Sequence, residues 1–503
     1  MKRVAIIDLG SNACRLAVYA YEEGRRFAQV DELRQSIRLA AGTGSGNVIR
    51  AEAFEKGVEI LRAFKAYCDA TGIDTIRATA TSAARDAANG AVFLAAVKAR
   101  AGLELEILPG EEEAALGTLA VANSQAFPDA LVLDVGGGSA QLSLMLGRRF
   151  SEGQSWPIGG VRMSEAHFTS DPPKKKEIRA LEEHVERLVG RGVKGFGQGL
   201  PLVGIGGTIR NLARIDQARR AYPSNLLHGY VLDRPALEHI TKELCDKSFD
   251  ERRAIPGLNG ERADVIAAGA VVVQKILELS GSTGVIVSGQ GLREGLFYRY
   301  LLPETEPPLL PEVRAFSVAN LVRHHYDVPK HNAHVERLAL QLFDQLYPLH
   351  HYGRFERELL QAAAQLHDIG MDIEYHEHHA HGQYLVMSSP LYGFTHREQA
   401  VIALMVGAHR KGRPDPSGLG GMLVPGDGDR LDRLSAMLRL AEYLERSKAQ
   451  RVKSLRCQID GRYLQVQVIP DGPAFVEVQA ANEKSELLAK AFGLQVEVVL
   501  GAE

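Results

Sequence analysis

Residues 3–9, RVAIIDL, form a β-branched apolar run that stops at Asp8 and passes into Gly10-Ser11-Asn12, the pattern of a strand ending in a polar, glycine-containing turn. The plan recurs about 126 residues on at 131–139, LVLDVGGGS, where the run ends at Asp134 and turns through Gly136, Gly137 and Gly138. PLVGIGGT at 201–208 and VIVSGQGLREG at 285–295 close apolar runs with glycines in the same manner. Between these runs lie stretches of helical periodicity, such as AFEKGVEILRAFKAYCDATG, whose Phe54, Val58, Leu61, Phe64 and Cys68 recur at helical spacing. Strand–helix alternation of this kind predicts an α/β region made of two lobes, 1–127 and 128–302, related by duplication.

The pattern then changes. PETEPPLLPEV, residues 303–313, holds four prolines and reads as a linker. Residues 314–451 are helical in periodicity, and 452–503 alternate strand and helix as a small α+β cap, too short to be stable alone and expected to pack on the helical domain. Composition agrees with several packed cores, since 45% of the 503 residues are hydrophobic and 24% charged, which excludes disordered and collagen-like classes. Lys plus Arg number 59 against 62 Asp plus Glu, a formal charge of −3, so bulk charge advertises no polyanion or nucleic-acid partner. Cys14, Cys68, Cys245 and Cys457 lie far apart without metal-type spacing, the usage expected of a reducing, cytoplasmic compartment. With no long apolar stretch, neither export nor a membrane span is expected. Histidine is unevenly used: 13 of 17 fall between His324 and His409, which marks a segment with its own chemistry.

A strand-end aspartate beside a glycine or serine turn sets a carboxylate next to backbone N–H groups that can converge on one anion. Asp8 with Gly10, Ser11 and Asn12, and Asp134 with Gly136, Gly137, Gly138 and Ser139, are two such devices; Gly206, Gly207 and Thr208 make a third turn of the same kind. A carboxylate repels phosphate unless a cation lies between them, so the pairing implies Mg²⁺ or another divalent ion bridging Asp8 and Asp134 to a phosphoryl oxygen. The cluster Glu111-Glu112-Glu113 follows Pro109, as at a helix start, and supplies a carboxylate that could orient a water for in-line attack. Hydrolysis of a terminal phosphoryl group is the expected chemistry.

The motifs IDLGSN (7–12), TSAARDA (81–87), LPGEEEA (108–114), LDVGGGSAQL (133–142), PIGGVRM (157–163), GIGGT (204–208), GERAD (260–264) and SGQGLREG (288–295) together resemble the exopolyphosphatase and guanosine-pentaphosphate phosphohydrolase family. The resemblance implies the two-lobed, actin-like ribonuclease H-like fold of acetate and sugar kinases, actin and heat-shock chaperones, followed by an all-α HD-like domain and the α+β cap. It implies that Glu112 activates the water, with Glu111 and Glu113 as neighbouring alternatives. It implies that Arg15 and Arg85 grip the phosphate chain, with Arg262 and Arg293 as further candidates. Family members commonly carry glutamate where this chain has Gln141, so the metal shell is expected to lose a charge there.

His367-Asp368, with His334 upstream and Glu442 in the place of a distant aspartate, resembles the metal-dependent HD phosphohydrolases, whose histidines and carboxylates converge on divalent metal. The preferred reading is a structural and polyphosphate-binding appendage in which His376, His378, His379, His381, Arg397, His409, Arg410 and Lys411 form the polyanion surface; the alternative is a second metal site at His334, His367 and Asp368. The resemblance implies an exopolyphosphatase acting on inorganic polyphosphate as a homodimer. The alternatives are a guanosine pentaphosphate (pppGpp) phosphohydrolase, which would also bind the tetraphosphate ppGpp, and a non-catalytic polyphosphate or alarmone sensor. No nucleic-acid or membrane partner is expected.

Overall fold

RVAIIDL becomes strand β1 (Lys2–Leu9), and Val4, Ala5, Ile6 and Ile7 are fully buried in it. The computed structural model describes residues 1–40, 47–196 and 199–501. β1 is central in a five-stranded sheet of order β3-β2-β1-β4-β5, with β2 Ala13–Glu22, β3 Arg26–Ser36, β4 Ile76–Ala80 and β5 Leu105–Ile107. β1 pairs antiparallel with β2 and parallel with β4, so both edges are covered and a continuous apolar run is what it needs.

The second sheet repeats this topology. Its order is β10-β11-β9-β6-β7-β8, with β6 Ala130–Val135, β7 Ala140–Leu146, β8 Arg149–Trp156, β9 Leu202–Ile205, β10 Val231–Asp233 and β11 Gly284–Val287. The meander β8-β7-β6 corresponds to β3-β2-β1, and the parallel neighbours β9 and β11 correspond to β4 and β5. The registers match: Asp8 lies opposite Arg15 in the first sheet, and Asp134 opposite Gln141 in the second. The duplication read from the sequence is thus a duplicated strand order, and the fold is the two-lobed, actin-like α/β fold.

The lobes exchange helices. Gly110–Ala122 packs on the second sheet, with Thr118 Oγ1 and Ser143 Oγ 2.6 Å apart and Gly117 against Ile205. Leu292–Leu301 returns to the first sheet, where Phe297 stacks on Tyr19 with ring centroids 4.3 Å apart and Tyr19 donates to Glu294 Oε1 at 2.6 Å. The boundaries expected at 127 and 302 therefore each follow a helix that packs on the opposite lobe. Residues 303–313, expected as a linker, are tied down: Asn123 donates to the Pro308 carbonyl at 2.8 Å, and Arg148 to the Leu310 carbonyl at 2.7 Å.

The chain divides into two compact units, Met1–Val313 and Arg314–Glu503. In the second, helices Pro329–Gln345, Arg354–Leu366, His396–Ala408 and Asp427–Tyr443 share one core with the sheet β12 (Val452–Asp460), β13 (Tyr463–Pro470) and β14 (Gln495–Leu500). The cap supplies Leu464, Val466 and Val468 to that core, so it has no separate interior. No helix among the described residues is long and apolar enough to cross a membrane.

Candidate active site

The two strand-end turns close identically, Gly10 N–H donating to the Ala13 carbonyl at 3.1 Å and Gly136 N–H to the Ser139 carbonyl at 2.9 Å. They also touch: a Cβ on Gly138 would lie 2.7 Å from Ser82 Oγ and 2.8 Å from Ser11 Oγ. Gly10, Ser11, Asn12, Gly136, Gly137 and Ser139 line the resulting cleft, as do Gly206 and Gly207. Gly138 and Thr208, expected among the phosphate contacts, do not. Gly138 is the point where the turns meet, and Thr208 is buried with Oγ1 donating to the Val135 carbonyl at 2.8 Å.

Asp8 and Asp134 line the same cleft. Among the described residues neither carboxylate accepts a hydrogen bond or closes an ion pair. Burial raises the pKa of Asp8, and burial with the charge of Asp8 raises Asp134 to about 6, against the pull of Arg210 and Arg15. Two carboxylates that line one recessed cleft offer the hard oxygen donors a divalent cation prefers, so these residues fit Mg²⁺. Gly206 makes the approach possible. Its φ is +84°, and a Cβ there would stand 2.2 Å from Asp134 Oδ1.

The acidic triplet opens the helix Gly110–Ala122. Consecutive helical residues point about 100° apart, so only one of the three can face the cleft. That residue is Glu113, which lines it with a side chain 9% exposed. Glu112 points elsewhere, accepting from Arg299 Nη2 at 3.2 Å with a side chain 30% exposed, so helix phase puts Glu113 in the cleft and not the expected Glu112. Burial lifts Glu113 to about 8; Arg85 opposes this, while Asp134 and Asp8 add to it.

Arg85 does not line the cleft. Its Nη1 donates to Glu113 Oε1 and to the Leu108 carbonyl at 2.7 Å, and its Nε reaches Asp86 at 3.3 Å, so the expected phosphate clamp is a clamp on Glu113. Gln141 joins it, donating from Nε2 to Ser139 Oγ at 2.8 Å, Ser155 Oγ at 3.1 Å and Glu113 Oε2 at 3.4 Å. The Gln141 amide thus faces Glu113 as a donor, where a glutamate at this position would set a fourth carboxylate against it.

Cations line the same cleft. Arg15 is in the cleft as expected, and Arg262 and Arg293 are there too. Burial and the neighbouring Arg293, Arg210 and Arg262 depress Arg15 to about 9, and burial with Arg34 and Arg210 depresses Arg262 to about 10. Arg293 is held charged by Glu294, Tyr19 and Glu32 in spite of its burial. Arg210 was missed by sequence reasoning. It lies one helical turn after Gly206 and donates Nε to the Gly206 carbonyl at 3.1 Å, so its place just after the GGT turn was the available signal. Beyond burial, the crowding that depresses Arg15, Arg210 and Arg262 is a repulsion that a bound polyanion relieves.

The Ppx/GppA phosphatase family model matches residues 17–304, more than half the chain, and the model of that family's domain III matches 313–471. The chain belongs to the Ppx/GppA phosphatase family. Among solved structures, a Ppx/GppA family member from Aquifex aeolicus is 30% identical, with 60% of this chain and 99% of that one covered at a TM-score of 0.53. An exopolyphosphatase from Cytophaga hutchinsonii is 24% identical, with 60% and 98% covered at a TM-score of 0.56, a likeness of fold. Both cover lengths close to that of the two-lobed unit of this Ppx/GppA phosphatase.

In the helical unit, His367 and Asp368 meet His331, His378 and His409. His334 is not among them. It lies one turn from His331 on the same helix face, with Nε2 3.4 Å from Glu445 Oε2, so the residue that reaches the cluster is His331, one turn earlier than the expected His334. The expected polyanion surface is incomplete, because His378, His379 and His409 are buried and Arg397 is bound to Asp427 at 2.7 and 2.9 Å.

Proposed function

We propose that this Ppx/GppA phosphatase is an exopolyphosphatase that removes the terminal phosphoryl group of inorganic polyphosphate. The observation that carries this is the composition of the cleft: four arginines and two glycine turns line it, and no aromatic ring does among the described residues. A nucleoside offers a flat base that proteins commonly hold by stacking, whereas a repeating phosphate chain asks only for cations and N–H donors.

The N–H groups of Ser11 and Asn12 in one turn and of Gly137 and Ser139 in the other hold the terminal phosphate, and Arg15, Arg210, Arg262 and Arg293 hold the phosphates behind it. Mg²⁺ bound by Asp8 and Asp134 would supply Lewis-acid polarisation of the phosphoryl oxygens. Glu113, fixed by Arg85 and Gln141, orients a water and accepts its proton. The water oxygen bonds to the terminal phosphorus, the bridging P–O bond breaks, and the electron pair leaves on the shortened chain, releasing orthophosphate.

Competition between long-chain polyphosphate and guanosine pentaphosphate tests the assignment. The larger kcat/KM is expected for polyphosphate. A larger value for guanosine pentaphosphate would reassign the cleft to the nucleotide.

A further inference from the structure

Asp8, Arg15 and Arg34 form a row across the first sheet. Asp8 on β1 lies directly opposite Arg15 on β2, and Arg15 directly opposite Arg34 on β3. Residues so paired project from the same face, and neighbouring strands stand about 4.8 Å apart, so the row leads from Asp8 across roughly 10 Å to β3, the edge of the sheet. The duplicated sheet holds the counterpart row, Asp134, Gln141 and Ser155 on β6, β7 and β8. That row carries no cation. It is turned to Glu113, which accepts from Gln141, and it is covered at Ser155, where a Cβ on Gly110 would stand 2.7 Å from the Ser155 Cβ.

The two rows divide the substrate between them. In-line transfer sets the attacking and leaving oxygens on opposite sides of the phosphorus. With the water held at Glu113 beside the second row, the leaving chain departs along the first, where it meets Arg15 and then Arg34. After burial, the charge of Arg34 is what most depresses Arg262, so Arg34 continues the cluster of arginines that lines the cleft.

Arg34 is already occupied. Glu261, on the 3-10 turn Gly260–Arg262 of the second lobe, sets Oε2 2.8 Å from Arg34 Nη1, with the two side chains 53% and 28% exposed. Arg38 holds the same turn independently, donating to the Glu261 carbonyl at 3.2 Å and lying 3.0 Å from Asp264 Oδ2, so the Glu261 carboxylate can swing out while its backbone stays docked. Glu32, two residues before Arg34 on the same face, is bonded to Arg293 at 2.7 Å instead.

We propose that Arg34 is a distal phosphate subsite that reads chain length, and that Glu261 is the internal carboxylate which long polyphosphate displaces from it. The inference rests on the polyphosphate reading of the cleft. An exposed carboxylate on an arginine contributes little and exchanges readily, whereas a chain anchored at Asp8 and Arg15 presents its next phosphates at high effective concentration. A chain of three phosphates ends inside the cleft and leaves Glu261 in place.

The test compares the KM for long-chain polyphosphate, read by orthophosphate release, with the Ki of tripolyphosphate against it. The proteins are wild type, Arg34→Gln, Glu261→Gln and Arg100→Gln, the last removing an exposed arginine that pairs with Glu55 on the surface. Arg34→Gln should raise the long-chain KM about tenfold and move the tripolyphosphate Ki far less. Glu261→Gln should lower the long-chain KM roughly two- to fivefold, a direction that a merely structural latch between the lobes would not give, and Arg100→Gln should leave both constants unchanged. Failure of the wild type to release orthophosphate from long-chain polyphosphate would end the substrate reading and this proposal with it. With an active wild type, equal shifts of KM and Ki in Arg34→Gln, or a long-chain KM that Glu261→Gln does not lower, would overturn the subsite alone. Glu261→Gln decides even where Arg34→Gln fails to fold.

Discussion

Glu113 is drawn in two directions. Burial strips water from its carboxyl and favours the proton, while Arg85 favours the charge, and the group rests at about 8. A base must be deprotonated to act, so kcat/KM on polyphosphate at saturating Mg²⁺ is expected to climb with pH and flatten at or below about pH 8, since a cation on Asp8 and Asp134 removes the charges that add to the shift. Linkage supplies a second readout. A carboxyl whose pKa is raised on folding stabilises the protein below its unfolded value and loses that contribution as pH rises through the folded one. In chelator, Glu113→Gln should therefore gain Tm relative to wild type between about pH 5 and pH 8, and a constant difference would contradict the shift. GEEEA was legible as a carboxylate at a helix start. Which of three was not, because the facing is set by what Leu116 and Gly117 pack against. His331 and His334, one turn apart, share a helix face, and the sequence pattern shows that face without showing which turn reaches the cluster.

At the scale of elements, the repeated strand–Asp–turn plan was legible because a central strand needs a continuous apolar run and its loop needs small residues. Asp8 and Asp134 accordingly occupy equivalent ends of β1 and β6. The helix exchange was not legible, since amphipathic periodicity says that a helix has a buried face and nothing of which sheet covers it. Arg85 was misassigned for a related reason: TSAARDA places it beside the cleft, but the Leu108 carbonyl and Glu113 claim its donors. Gly206 offers a test of how elements build the site. Gly206→Ala incurs roughly 1–2 kcal/mol of left-handed strain and drives a methyl into Asp134, so the Mg²⁺ concentration for half-maximal activity should rise about tenfold or more. Gly102→Ala, at φ +66° with nothing within 4 Å of its Cβ, should lose similar stability and leave the Mg²⁺ dependence unchanged. Equal Mg²⁺ dependence in both variants would remove Asp134 from the metal account.

For the whole molecule, a net charge of −3 conceals a local concentration of charge. The cleft gathers Asp8, Asp134 and Glu113 together with Arg15, Arg210, Arg262 and Arg293, and their sum tells nothing of that arrangement. The clustering of histidines between His324 and His409 was visible in composition, but its consequence was not, because burial turned His378 and His409 from an expected surface into an interior cluster. The most direct measurement of the central claim is orthophosphate release from long-chain polyphosphate by wild type, Glu112→Gln and Glu113→Gln, with substrate binding measured in parallel. Wild type and Glu112→Gln should shorten the chain from its end at rates within a few fold of each other, and Glu113→Gln should lose roughly 10²–10⁴-fold in turnover while still binding. Turnover surviving in Glu113→Gln, or lost in Glu112→Gln alone, would contradict the account.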